Sequence, residues 1–114
     1  MAIVSLSPRT QSLILGAMRA IAHGSLIDDK EFHTRLGISR RILLELLANW
    51  PAIDASDPNS EAFLGINNCM NEICNGVNLT PQQWAEWFDS PRSDIERAYE
   101  DWSRSVGRTS TGIQ

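Results

Sequence analysis

Two histidines and two cysteines are the side chains of this 114-residue chain best suited to chemistry. Imidazole and thiolate hold zinc, or act as base and nucleophile, when they converge with one another or with a carboxylate. His23 stands just before Gly24, a helix-ending glycine, where the helix dipole favours a cation. His33 falls inside a short helical stretch, and neither histidine belongs to a Cys/His pattern of zinc-ligand spacing. Cys69 and Cys74 lie about 140° apart around one helix, too far apart for an easy disulfide, and read as reduced core thiols of a cytoplasmic protein. There is no glycine-rich phosphate loop. The expectation is a protein that is not an enzyme and needs no cofactor or metal. Asn67, Asn68, Asn71 and Asn75 crowd one helix despite their poor helix propensity, so they are expected to hydrogen-bond loops or facing helices.

The elements that must position these residues are well punctuated. Ser7-Pro8 supplies an N-cap and a proline at the first helical position, ahead of Leu13, Ala17 and Ile21. Asp28 with Glu31 spells a capping box for a short helix ending at Gly37. Ser39 caps a third helix that Pro51 terminates after Trp50. A polar link over residues 54–60 leads to a helix carrying Phe63, Ile66, Met70 and Ile73. Thr80-Pro81-Gln82-Gln83 is another capping box, and Ser90-Pro91 starts a last helix through Ile95, Ala98 and Trp102. No window alternates as a strand. The reading is all-α, six helices in one compact domain with no membrane-spanning run.

A shift of 52 residues lays the chain over itself without a gap. Ile14, Met18, Ile21, Gly24, Arg40 and Trp50 fall on Ile66, Met70, Ile73, Gly76, Arg92 and Trp102. Phe32 meets Trp84, Leu36 meets Phe88 and Leu43 meets Ile95. Two tandem three-helix units, about 8–51 and 60–103, followed by a polar tail at 104–114, account for this register. The two terminal tryptophans are expected in equivalent, largely buried places.

Residues 31–50 also fit the spacing of a helix-turn-helix, with Phe32, Leu36, Gly37, Ile38, Leu43 and Leu46 in the expected places. Arg40 and Arg41 would meet phosphates, but Leu44 and Glu45 suit a groove poorly, and His33 stands where such motifs carry a small residue. A formal net charge of −4 opposes phosphate contact, so no nucleic-acid partner is expected. A DNA-binding regulator using residues 31–50 is the alternative reading; a third is an adaptor module using exposed Ile42 and Leu44.

The stretch "IDDKEFHTRLGISRRILLELLANWP" followed by "EAFLGINNCMNEICNG" resembles a group of small bacterial proteins with a D-D-x-E-F…LG…W-P segment and a later I-N-N run. The resemblance covers about residues 26–76; Asn71-Glu72 replaces a second Asn-Asn pair of that pattern. These proteins resemble, in size and setting, the immunity proteins that accompany bacterial toxins, including those of contact-dependent inhibition systems. The resemblance implies a cytoplasmic protein, monomeric before complex formation, that neutralises a cognate toxin domain such as a nuclease.

Charge points the same way. Residues 1–52 carry six Lys/Arg and four Asp/Glu, a net of +2; residues 53–114 carry four Arg and ten Asp/Glu, a net of −6. An acidic half attracts a basic partner and speeds its capture. Trp87 replaces Arg35 at the matching position, an aromatic among Glu86, Asp89 and Asp94, acids expected to be unpaired. With Glu96, these residues form the candidate partner-binding surface: Glu86, Trp87, Asp89, Asp94 and Glu96. Arg97–Asp101 and Arg104–Glu100 are expected to pair along the last helix.

Overall fold

In a computed structural model, which describes residues 3–106, the chain forms six α-helices and no strand among those residues. A short 3-10 turn at Ile3–Ser5 precedes α1 (Pro8–His23), α2 (Asp29–Leu36) and α3 (Arg40–Ala48). After the polar link come α4 (Glu61–Asn71), extended by a π-helical turn at Glu72–Gly76, then α5 (Pro81–Trp87) and α6 (Arg92–Ser105). Most of the expected tail, 107–114, lies outside the described residues, while Arg104 and Ser105 belong to α6.

The caps are largely where the side-chain chemistry puts them. Ser7, Ser39, Ser60 and Thr80 each accept a hydrogen bond from a backbone N–H of the first turn they precede. The Thr80–Gln83 capping box is complete. Asp28 instead accepts from Lys30 N–H, and Ser90 does not cap α6, whose N-cap position is Pro91. Gly37 takes φ +74°, the left-handed turn that lets α2 stop and α3 leave at once.

α1 and α4 run through the middle. Ile14, Met18 and Ile21 of α1 and Ile66, Met70 and Ile73 of the α4 segment are all fully buried, as are Leu43 and Ile95. The 52-residue register therefore places equivalent side chains in one common core. α2 and α5 begin 52 positions apart, at Asp29 and Pro81, and α3 and α6 likewise, at Arg40 and Arg92.

The units face each other rather than stack. A Cβ added at Gly24 would stand 3.2 Å from the Trp87 indole nitrogen; one at Gly76 would stand 3.3 Å from a guanidinium nitrogen of Arg35. Adding 52 to one partner and subtracting it from the other converts each contact into its twin. Gly16 against the Phe88 ring has a similar twin in Asn68, whose amide donates to the Leu36 carbonyl at 2.8 Å. Reciprocal contacts of this kind belong to a two-fold relation, like the interface of an isologous dimer, and not to a solenoid.

One pair departs from the register. Trp102 lies inside α6, fully buried, tilted against Phe63 with ring centroids 5.5 Å apart, its N–H donated to Asn67 at 3.4 Å. Trp50 lies beyond the end of α3 and is only half-buried, so the expected equivalence of the two tryptophans fails. Pro51 cannot continue a helix and disfavours helical backbone before it, whereas α6 runs on through Trp102. Urea denaturation should accordingly separate them: Trp102→Ala is expected to cost about 3–5 kcal/mol, and Trp50→Ala less than half of that. Equal losses would contradict the difference in burial.

Candidate functional site

Each unit is tied together by one arginine. Arg40 donates to the carbonyls of Ile21 (3.2 Å) and Ala22 (2.6 Å) at the end of α1, and its guanidinium lies 4.3 Å over the Phe32 ring of α2. Arg92 donates to Ile73 (3.2 Å) and Cys74 (3.3 Å), and lies 4.9 Å over Trp84. A cation over an aromatic face that also satisfies terminal helix carbonyls meets two needs at once. Arg40 further pairs with Asp29 at 2.8 Å. The first cation of the expected DNA-reading face is thus turned to internal partners, and Arg41 pairs with Glu45 at 2.7 Å. Leu44 stands 40% exposed on that helix, while Ile42 is half-buried.

The candidate partner surface is built around α5. The capping box fixes its start, and the backbone turns extended at Phe88, which drives that ring down beside Gly16. Trp84 and Phe88 pack with centroids 4.6 Å apart, and the Trp84 N–H donates to the Ser90 carbonyl at 2.7 Å. These contacts set the exposed Glu86, the half-buried Trp87 and the exposed Asp89 along one wall of a groove of about 500 Å³, with Leu15, Gly16 and Arg19 of α1 opposite. Trp87 lies in the seam between the units with part of its indole open to the groove.

The other two candidates go elsewhere. Asp94 is half-buried and pairs with Arg9 of α1 at 3.2 Å, in a neighbouring depression shared with Arg97 and Asp101. Arg9 also donates to the Ser90 hydroxyl at 2.5 Å, and Ser90 in turn donates to Asp89 at 3.1 Å. Asp94 is therefore matched by a cation from the other end of the chain, not by Arg92 or Arg97 beside it in sequence. Glu96, two positions on and about 200° around the helix, is exposed on the side nearer Cys74, away from the groove. Glu86, Trp87 and Asp89 come together; Asp94 flanks them; Glu96 does not join them.

Arg9 and Arg19 were missed as members of this neighbourhood. Both lie on α1, and no local sequence signal links Arg9 to a carboxylate 85 positions away. The pairing along α6 also differs: Arg104 bonds Asp101 at 2.7 Å, three residues back, and Asp101 also accepts from Thr10. Arg35 is no free surface cation either. It grips the buried Glu72, through Nε at 3.2 Å and again through Nη2, and that hydrogen bonding holds its guanidinium above the ordinary arginine range.

Two asparagines have evident work, Asn68 on the Leu36 carbonyl and Asn67 on Trp102, while Asn75 bonds Asn71 at 3.0 Å. His23 and His33 are both exposed, at the end of α1 and within α2. Among the described residues no group of three or more His, Cys, Asp and Glu is placed to hold a metal, and no helix is long and apolar enough to cross a membrane.

Cys69 and Cys74 are free thiols. Burial, then the charge of Glu72, drives Cys69 far above the usual thiol range. Burial, then Glu96, pushes Cys74 up to about 11, against the pull of Arg92. Because the thiolate is the reactive form, alkylation of the folded protein by iodoacetamide at pH 8 is expected to be slow, with Cys74 reacting before Cys69. In urea both thiols should react readily. Fast labelling of Cys69 in the native state would show that its surroundings open.

In comparisons with protein-family models, curated proteins and solved structures, none matches this chain.

Proposed function

We propose that this protein is an immunity-type inhibitor that binds and neutralises a basic toxin domain, such as a nuclease, through the groove between α1 and α5. The observation that carries the reading is Trp87, a half-buried aromatic set between two exposed acids, Glu86 and Asp89, on the wall of that groove. An aromatic anchor held by its own packing gives up little freedom on binding, and acids around it favour a cationic partner. The net charge of −6 on residues 53–114 supports the same choice, because long-range attraction raises the capture rate of a basic protein. The asymmetry between the units supports it too. The first unit places Arg35 on Glu72 where the second places Trp87 at the groove, so the acid–aromatic surface occurs once.

The reading is tested by co-producing the protein with the toxic domain encoded beside its gene and scoring growth. Rescue is expected, and the purified pair should form a one-to-one complex. Trp87→Ala should raise the dissociation rate by the equivalent of about 2 kcal/mol or more. Glu86→Lys and Asp89→Lys should chiefly lower the association rate, the more so at low salt. Asp94→Lys should do less, since Arg9 already offsets that charge, and Glu96→Lys should do least. Affinity indifferent to all of these in folded variants would remove the groove from the interface.

The regulator alternative has its own measurement. In a titration of duplex DNA at about 100 mM salt, no sequence-dependent binding is expected from a chain of this charge. Sub-micromolar binding that Arg41→Ala weakens would favour the regulator.

A further inference from the structure

The tie formed by Arg40 and its twin formed by Arg92 are not equally complete. Around Arg40 stand Ile27, Asp29, Phe32 and Ser39; Ile27 and Phe32 are buried, and the exposed Asp29 carboxylate pairs with the guanidinium at 2.8 Å. Fifty-two positions on, the same places hold Leu79, Pro81, Trp84 and Pro91. These residues with Arg92 line an open cleft of about 270 Å³, in which Leu79 and Trp84 are only half-buried. Proline has no carboxylate to offer. Arg92 uses Nη1 on the two carbonyls, and among the described residues no carboxylate is paired with it. Glu96, one turn further along α6, and Cys74 are the ionisable neighbours.

We propose that the cleft of Leu79, Pro81, Trp84, Pro91 and Arg92 is a recognition site for a carboxylate, which takes the place in the second unit that the Asp29 side chain takes in the first. The internal twin shows what the guanidinium donates to there: a single carboxylate oxygen presented by polypeptide, beside an aromatic ring. An arginine restrained by two carbonyls and a ring loses little freedom when it pairs, which favours it over an unrestrained surface arginine. The apolar prolines and Trp84 leave the shoulders of the cleft suited to the aliphatic part of an aspartate or glutamate. This site shares no lining residue with the Trp87 groove. It requires nothing of the inhibitor reading.

The probe is acetyl-aspartate N-methylamide, titrated into the ¹⁵N-labelled full chain while the Trp84 indole and Arg92 Nε resonances are followed. Acetyl-asparagine N-methylamide and sodium chloride at matched ionic strength serve as controls, with sodium acetate as a free carboxylate. Saturable shifts at both positions are expected with the aspartate compound and weaker ones with acetate; equal strength would point to a free small acid as the occupant. Arg92→Gln should weaken binding about five-fold or more. Pro81→Asp should abolish it, because an internal carboxylate then fills the place, whereas Pro81→Asn should retain it; thermal melting confirms that each variant folds. Shifts of the same size with the asparagine compound or chloride, or binding that survives Pro81→Asp, would overturn the assignment.

Discussion

The interaction on which the rest of the structure depends is an arginine guanidinium that closes the C-terminal end of one helix while lying on the aromatic ring of the next. A helix end leaves carbonyls unsatisfied, and in so small a chain two of them fall at the junction of three helices. Arg40 and Arg92 answer this in the same way, each from the first position of the third helix of its unit. That one side chain joins the end of the first helix, the ring of the second and the start of the third. The guanidinium suits the task because it is planar, carries several donors in a fixed fork and keeps its charge at any physiological pH.

Once each unit is set in this way, the remaining freedom is how the two meet. They meet reciprocally, so that a given patch on one unit touches its counterpart's partner patch on the other. Such an arrangement lets nearly identical cores share one interior, and it confines difference to the places where the reciprocal contacts are unlike. Arg35 on Glu72 is an ion pair at one such place; Trp87 beside Gly24 is an aromatic seam at the other. An ion pair with one buried partner is weak evidence of added stability, since desolvation of the buried Glu72 offsets much of the attraction. Its effect here is rather to make the two faces of the molecule distinguishable.

Much of the fold was legible because its determinants are local or repeat. Apolar spacing, Gly37 and the Ser and Thr caps act within a few residues, and Ile14, Met18 and Ile21 recur as Ile66, Met70 and Ile73 at one fixed offset. The departures have separate physical causes. Trp50 and Trp102 match as letters, but Pro51 follows only the first, and the backbone obeys the proline. Asp94 looked unmatched because Arg9 lies at the far end of the chain, and charge pairing across a fold leaves no trace in neighbouring letters. Glu86, Trp87 and Asp89 come together because one short helix and its end carry all three. Glu96 shares their composition but not their direction, since two steps along a helix turn a side chain to the other flank.

The four tryptophans, described above as packing elements, also give the molecule four optical addresses. Trp102 is fully buried with its N–H engaged; Trp84 lies against a cation; Trp87 has one part in the seam and one in the groove; Trp50 sits half-covered beyond the end of α3. Indole emission shifts to shorter wavelength as water is withdrawn and weakens beside quenching groups. The native spectrum is therefore expected to be a superposition in which Trp102 supplies the blue edge and Trp87 and Trp50 the red. Anything that covered the groove would be expected to draw Trp87 toward the blue while Trp102 stayed fixed as an internal standard, a reporter that needs no dye or label.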